Sequence, residues 1–247
     1  MSQARGAPLA AWLGYWGVMR RYHRYEVTGL SNLDLGRAAL LVGYHGRPIA
    51  HDLCMLTVAI NERLGYMPHA VSHAAADQQP VLKWVVDSLG FVTGDGEAIA
   101  RVVARGEHII VTPGGTREGC RSFRQRYQVD WDERTGYLRL ALKYGLPILP
   151  IAASGVDDAY CGLNDGYALG KRLGSPYRLP IWLGLGPGGI WPLSLPFPVK
   201  IRQIIGQPID LRSEGLLDPN DHQRISAMHH KVIGAVQGLL ERARGSA

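Results

Sequence analysis

The most chemically suggestive stretch of the sequence places a histidine directly after an apolar run, with a carboxylate seven positions later. The run Ala38 to Tyr44 ends at His45, and Asp52 follows. An imidazole just past a buried strand can act as a general base, because a nearby carboxylate fixes its tautomer and stabilises the imidazolium. Taken alone, the pair also fits a structural histidine beside a helix start, so the remaining sequence has to distinguish the two interpretations.

A second stretch with chemical potential follows the apolar run Ile109 to Thr112. A chain that leaves a strand through proline and two glycines exposes backbone N–H groups, and the arginine after them suits a phosphate or a carbonyl oxygen. This pattern predicts an anion or oxyanion cradle, with a tight turn and a salt-bridged arginine as the alternative. Glu118 would face a nearby cation or be a second acid of the site. The candidate residues are Gly114, Gly115, Thr116, Arg117 and Glu118.

The elements that position these stretches alternate between apolar strands and helices. Strands are predicted at 25–29, 38–44, 67–71, 109–112, 146–152 and 199–205, and helices at 51–64, 80–89, 96–105, 134–144 and 220–242. This alternation predicts an α/β fold with a mostly parallel sheet flanked by helices.

Two apolar segments fall outside this alternation. Residues 1–24 predict an N-terminal amphipathic helix in which the apolar part, Pro8 to Met19, precedes four basic residues. We expect this segment to be an interfacial helix on a membrane, or a helix packed on the protein's own core, ahead of a domain at 25–247. The Pro- and Gly-rich segment 177–198 must bury itself, line a ligand channel, or dip into a bilayer.

Composition narrows the class of protein. A formal net charge of +6 and a pI near 9.3 favour work close to polyanions, which fits nucleic acid or an anionic membrane. The basic residues are scattered rather than clustered with aromatics, so nucleic-acid binding is not expected. Three cysteines without metal spacing predict neither disulfides nor zinc and favour the cytoplasm. His69 and His73 could share a metal, but their strand-like setting makes this unfavourable. His229 and His230 are expected to face solvent.

The two stretches resemble blocks of the lysophospholipid and glycerolipid acyltransferase superfamily, whose first block has a histidine and an aspartate and whose second reads Pro-Glu-Gly-Thr-Arg. The match is closer to the diacylglycerol and monoacylglycerol acyltransferase branch, with blocks Tyr-His-Gly and Pro-Gly-Gly-x-Arg-Glu. Two later blocks agree in order. The matching segments are Tyr44–Gly46, Pro113–Glu118, Arg134–Ala141 and Leu146–Ile151, with Val199–Ile201 and Gly206–Ile209 similar to the end of such domains.

The resemblance implies an O-acyltransferase of lipid metabolism and phospholipid biosynthesis. His45 would deprotonate a lipid hydroxyl, Asp52 would stabilise the imidazolium, and residues Gly114 to Glu118 would bind substrate. It implies acyl-CoA or acyl carrier protein as co-substrate, no cofactor and no metal. The expected partners are the membrane surface and a lipid acceptor, with the protein peripheral at the inner face of the membrane.

Two departures from the family blocks affect these expectations. The superfamily's aspartate usually stands five positions after the histidine, where this chain has Ala50, so Asp52 takes the orienting role. Gly114 replaces the glutamate of the commoner block, which argues against a phosphorylated acceptor such as lysophosphatidate. The alternative hypothesis is a non-catalytic lipid-binding protein on the same fold.

Overall fold

The computed structural model describes residues 6–47, 50–72, 84, 87–93, 96–175, 178–216 and 218–245. The helices are α1 (Gly6–Tyr22), α2 (His51–Leu64), α3 (Gly96–Ala104), α4 (Gly115–Gly119), α5 (Gly136–Tyr144), α6 (Tyr167–Arg172) and α7 (His222–Gly245). The strands are β1 (Glu26–Thr28), β2 (Leu40–Gly43), β3 (His69–Ser72), β4 (Val92–Thr93), β5 (Ile109–Val111), β6 (Ile148–Ser154), β7 (Cys161–Gly162), β8 (Trp182–Leu183) and β9 (Arg202–Ile205).

Seven of these strands form one sheet in the order β1-β9-β6-β2-β5-β3-β4. Strands β6, β2, β5, β3 and β4 are parallel to one another. Strand β9 runs antiparallel to β6, and β1 is parallel to β9. The predicted α/β fold with a mostly parallel sheet and helices around it is confirmed. Strands β7 and β8 pair separately as a small antiparallel ribbon.

The centre of the sheet is formed by its most apolar strands. Every residue of β2 and of β6 is buried, as expected for strands covered by helices on both faces. Leu40 of β2 lies opposite Ile109 of β5 and Ile148 of β6, so the three strands run in register. Their carboxyl ends therefore meet at one edge of the sheet, and the segments that follow them are neighbours there.

Several predicted boundaries shift in the structure. The predicted helix 134–144 begins at Gly136, because the backbone N–H groups of Arg134 and Thr135 bond to carbonyls of the preceding turn. The predicted strand 199–205 is regular only at Arg202–Ile205, and the strand predicted at 146–152 runs over Ile148–Ser154. The helix predicted at 80–89 falls mostly outside the described residues.

The N-terminal helix is present and packs one of its faces against α2. The indole N–H of Trp12 donates to the hydroxyl of Thr57 at 2.9 Å, and Trp16 and Met19 are buried. Tyr15 and Val18 remain exposed on the other side. No helix within the described ranges combines the length and the apolar character needed to span a bilayer.

Candidate active site

His45 stands two residues beyond the end of β2, at the edge where the parallel strands finish. Its imidazole is half-buried, and its Nδ1 lies 3.1 Å from the carbonyl oxygen of Gly46. An N–H on Nδ1 would donate to that carbonyl and leave Nε2 as the proton acceptor. Burial lowers the pKa of His45. The ring is therefore neutral near pH 7, which is the form that a general base requires.

Glu118 joins the histidine block to the Pro-Gly-Gly block. Its buried carboxylate accepts the backbone N–H of His45 at 3.0 Å and that of Asp130 at 2.8 Å. It also accepts the indole N–H of Trp131 and lies 3.2 Å from the guanidinium of Arg121. Burial raises its pKa to about 7. Because Glu118 holds the backbone of His45 directly, it is a positioning residue for the imidazole.

Gly114 of the second block and Gly119 directly after it are required by close packing. A Cβ built on Gly114 would lie 2.2 Å from the side chain of Glu118, so no larger residue fits there while Glu118 keeps its place. A Cβ built on Gly119 would lie 2.6 Å from the ring of His45. The imidazole thus packs directly against the backbone of α4, which limits the positions its ring can take.

Asp52 lies in the first turn of α2 and is completely buried. Neither carboxylate oxygen has a hydrogen-bond partner within the described part of the chain, so no hydrogen bond joins Asp52 to His45 there. A Cβ on Gly46 would stand 2.8 Å from its Oδ1, so Asp52 lies behind the residue that follows the histidine. Burial, and then the charge of Asp157, raise its pKa to about 8. A buried carboxylate without a hydrogen-bond partner among the described residues is a marker of functional sites.

Thr116 and Arg117 are the exposed members of the second block. The guanidinium of Arg117 forms ion pairs of 2.8 Å with both Asp130 and Asp132, as in the salt-bridged alternative. The N–H of Gly115 is used within the turn, where it donates to the carbonyl of Thr112 at 3.0 Å. An anion bound here would have to compete with these partners.

A buried ion pair that the sequence did not suggest lies beside the site. Arg47 and Asp157 are both completely buried, with Nε and Oδ1 3.6 Å apart. Tyr44 donates its hydroxyl to Asp157, and the backbone N–H of Tyr127 donates to the same carboxylate at 2.9 Å. Asp157 follows β6 in the same way as His45 follows β2. Because parallel strands end at one edge of the sheet, the position of Asp157 just after a strand was the sequence signal that could have placed it near His45.

Helix α1 reaches the start of α2 beside the site. The ring of Trp16 stands edge-on to that of His51, with centroids 5.0 Å apart, and Tyr160 approaches His51 from another side at 6.2 Å. Nearby, the hydroxyl of Tyr25 is buried without a hydrogen-bond partner among the described residues. The N-terminal helix therefore covers the side of the site on which the start of α2 and Asp52 lie.

His69 and His229 have structural partners. His69 is buried in β3, with Nδ1 2.5 Å from the carbonyl of Gly90 and Nε2 2.7 Å from Glu107, while His73 lies outside the described residues. The expectation that His229 faces solvent is wrong. Its ring is buried because Nδ1 lies 3.1 Å from the hydroxyl of Tyr137 and Nε2 lies 2.7 Å from the carbonyl of Asp132.

Comparison with known proteins identifies the family. The sequence profile described as Acyltransferase matches residues 24–154, more than half of the chain, including both site blocks. The chain belongs to the Acyltransferase family. It is therefore an acyltransferase, as its ordered blocks predicted.

Curated relatives cover almost the whole chain. A protein of Gallus gallus named a DGAT1/2-independent enzyme synthesizing storage lipids is 29% identical over 233 residues, covering 92% of this chain and 66% of its own length. The protein of the same name from Mus musculus is 27% identical over 244 residues, covering 96% and 69%. An uncharacterised protein of Mycobacterium tuberculosis is 28% identical over 229 residues, covering 90% and 62%. The acyltransferase thus spans about two thirds of these relatives.

A solved structure shares the fold. The 1-acyl-sn-glycerophosphate (LPA) acyltransferase PlsC of Thermotoga maritima superposes with a TM-score of 0.56 at 18% identity, covering 94% of this chain and 79% of that one. At this identity the likeness supports the fold alone.

Proposed function

We propose that this acyltransferase moves a fatty acyl group from a thioester donor to the hydroxyl of a glycerolipid or related lipid, with His45 as general base. The observation that carries the proposal is the half-buried imidazole at the end of β2, whose Nδ1 faces the carbonyl of Gly46. Nε2 is then left to accept a proton from a bound hydroxyl.

The proposed reaction needs no covalent enzyme intermediate. Nε2 of His45 takes the proton of the acceptor hydroxyl while the hydroxyl oxygen attacks the carbonyl carbon of the thioester. The tetrahedral intermediate collapses with cleavage of the carbon–sulfur bond, and the thiolate takes the proton back from the imidazolium. The products are an ester and a free thiol. General-base assistance of this kind is worth about 10²–10⁴-fold in rate.

Asp52 is the proposed partner of the imidazolium. Its carboxylate lies behind Gly46 with no hydrogen-bond partner in the described chain, so its charge is available to the neighbouring ring. With its pKa raised to about 8, Asp52 is largely protonated at neutral pH. Positive charge on His45 would favour its ionised form, so the proton transfer and the ionisation of Asp52 support each other.

The exposed side of α4 is the proposed substrate-binding face. Thr116 offers a hydroxyl, and Arg117 can exchange Asp130 and Asp132 for a phosphate of the donor or an acceptor headgroup. Gly114 and Gly115 shape the turn, and Glu118 positions the base. We propose acyl-CoA or acyl carrier protein as donor and neither metal nor cofactor in the reaction.

The proposed setting is the inner face of the cytoplasmic membrane, with the protein bound peripherally. A lipid acceptor resides in a bilayer, and a net charge of +6 favours an anionic surface. Helix α1, covering residues 6–22 of the proposed interfacial segment 1–24, lies beside the site with Tyr15 and Val18 exposed.

The test is acyl transfer from labelled palmitoyl-CoA, and separately from palmitoyl carrier protein, to acceptors in mixed micelles. Monoacylglycerol and diacylglycerol come first, because the vertebrate relatives are named for storage-lipid synthesis. Lysophospholipids and long-chain alcohols complete the panel. The proposal predicts a lipid ester and an equal amount of free thiol. Folded protein that makes no ester from either donor with any of these acceptors would contradict it.

One observation favours a second candidate, a non-catalytic lipid-binding protein on the same fold. The described residues show no hydrogen bond between His45 and Asp52. A lipid-binding protein would retain the labelled lipid in the same assay without forming ester or thiol.

A further inference from the structure

The segment 161–198 exposes an unusual amount of apolar surface. Ten large apolar side chains are strongly exposed in the part of the chain that the structure describes, and seven of them fall between residues 163 and 195. Leu193 and Leu195 are 80% and 63% exposed. Exposed apolar residues concentrated in one segment mark an interaction surface rather than ordinary scatter. The seven are Leu163, Tyr167, Leu173, Leu185, Ile190, Leu193 and Leu195.

The segment is a supported structure, which we call the apolar lobe (the described residues of 161–198). Leu185 and Leu195 exchange backbone hydrogen bonds of 2.7 and 2.9 Å, so their side chains lie opposite each other on one face. On the inner side, Trp182 is buried and its ring lies 5.2 Å from that of Trp191. The outward leucines are therefore held in place by a packed inner face.

From Gly166 onward, the same part of the chain has basic residues and no acidic residue. Residues 166–209 contain five basic residues and no aspartate or glutamate. Lys171 and Arg172 are exposed at the end of α6, directly before the exposed Leu173. Arg178 pairs with Asp165, and Lys200 and Arg202 pair with Glu26, outside this stretch. A segment that combines exposed apolar side chains with exposed cations has the composition that binds an anionic bilayer.

The apolar lobe packs against residues that lie next to both site blocks. A Cβ built on Gly162 of β7 would lie 2.6 Å from a terminal nitrogen of Arg47, two residues after His45. Trp182 and Tyr160 form one buried cluster with Cys120, the residue that follows α4. Contact between the lobe and a bilayer would thus bring the base close to the lipid surface.

We propose that the apolar lobe inserts its exposed leucines into an anionic membrane and is the main docking surface of this acyltransferase. This rests on the proposed function, which places the acceptor in a bilayer. The membrane, rather than a second copy of the chain, is the chosen occupant because from Gly166 onward the lobe carries no acidic residue, and Lys171 and Arg172 are exposed beside Leu173.

The test is sedimentation with vesicles of phosphatidylcholine alone and of equimolar phosphatidylcholine and phosphatidylglycerol, without an acyl donor. The variant Leu193→Asp/Leu195→Asp should bind the mixed vesicles at least about tenfold more weakly than wild type, since two exposed leucines no longer enter the bilayer. The matched control Ser226→Asp/Ala227→Asp adds the same charge on the exposed face of α7 and should change binding by less than about threefold.

The outcomes separate this proposal from its alternatives. Vesicle binding by the lobe variant equal to that of wild type overturns it, and so does a shift from dimer to monomer in light scattering with vesicle binding intact. Unfolding curves of both variants should match wild type, because the changed residues are exposed. Acyl transfer in detergent micelles is measured separately. If neither wild type nor the variants transfer an acyl group in micelles, the proposed function fails. Vesicle binding that depends on the lobe would still support this docking surface.

Discussion

Asp52 lies in an environment unlike that of an ordinary exposed carboxylate. It is buried at the start of α2, has no hydrogen-bond partner in the described chain, and lies next to the residue that follows the proposed base. An isolated buried charge costs folding free energy, so the ionisation of Asp52 should affect both the activity and the stability of the protein.

The first prediction concerns the pH dependence of activity. In wild type, kcat/KM should rise with pH in two steps. The lower step, below pH 6.5, reports the lowered pKa of His45, and the upper step near pH 8 reports the ionisation of Asp52. Asp52→Asn should remove the upper step and keep the lower one. Initial rates across this range measure both, and an unchanged upper step in the variant would exclude Asp52 as its source.

The second prediction concerns stability. The native pKa of Asp52 is raised above its unfolded value, so between about pH 4 and pH 8 the native state holds a proton that the unfolded chain has lost. This group's contribution to stability is therefore present at low pH and lost as pH rises, by up to about 1.4 kcal/mol per pH unit. Asp52→Asn should gain stability over wild type at about pH 8 relative to about pH 5. Urea unfolding of both proteins at both pH values measures this difference. A difference in unfolding free energy that does not change with pH would refute the raised pKa of Asp52.

At the scale of elements, the site depends on the ends of three adjacent parallel strands. Strands β6, β2 and β5 bring Asp157, His45 and Glu118 to one edge, and α4 lies directly against the imidazole ring. Small changes in these elements should therefore affect rate more than binding.

The third prediction uses the contact between α4 and His45. In Gly119→Ala the new methyl group would lie 2.6 Å from the imidazole ring, so the ring must move. A displacement of about 1 Å can cost about 10²-fold in rate, and we expect a loss of that order in kcat. Gly136→Ala, at the start of α5 with no atom within 4 Å of the built Cβ, is the matched control and should keep full activity. Equal activity of the two variants would contradict the packing.

The fourth prediction compares two neighbouring carboxylates. Asp157→Asn leaves the buried charge of Arg47 without its partner, so unfolding free energy should fall by about 3–5 kcal/mol. Asp158→Asn weakens two partly exposed contacts, the ion pair with Arg126 and the hydrogen bond from the hydroxyl of Tyr127. The loss of unfolding free energy should therefore be clearly smaller. Chemical denaturation of both variants measures the difference. Similar losses would show that the buried pair does not hold the strand ends together.

At the scale of the whole molecule, the sequence predicts those features that depend on local pattern. Strands β2 and β5 have clear apolar runs, and each run is followed at once by a site block. The existence of both strands and the position of His45 after β2 were therefore predictable. Two parallel strands that end in motifs also indicate one shared edge.

Features that depend on distant contacts were not predictable from local pattern. Asp157 meets Tyr44 across 113 residues, and no short spacing reveals that contact. No local pattern indicates that Arg47 is buried, yet its guanidinium pairs with Asp157 and donates to the backbone carbonyls of Arg121 and Asp157. The same holds for His229, whose burial depends on Tyr137, 92 residues away.

The most direct measurement of the central claim is kcat for acyl transfer by wild type, His45→Ala and His230→Ala, with the donor and acceptor that the panel identifies. His230 is an exposed histidine on α7 and serves as the matched control. The account predicts a loss of about 10²–10⁴-fold in His45→Ala, an unchanged rate in His230→Ala, and native circular dichroism in both. A folded His45→Ala enzyme within about tenfold of wild type would contradict the assignment of His45 as the general base.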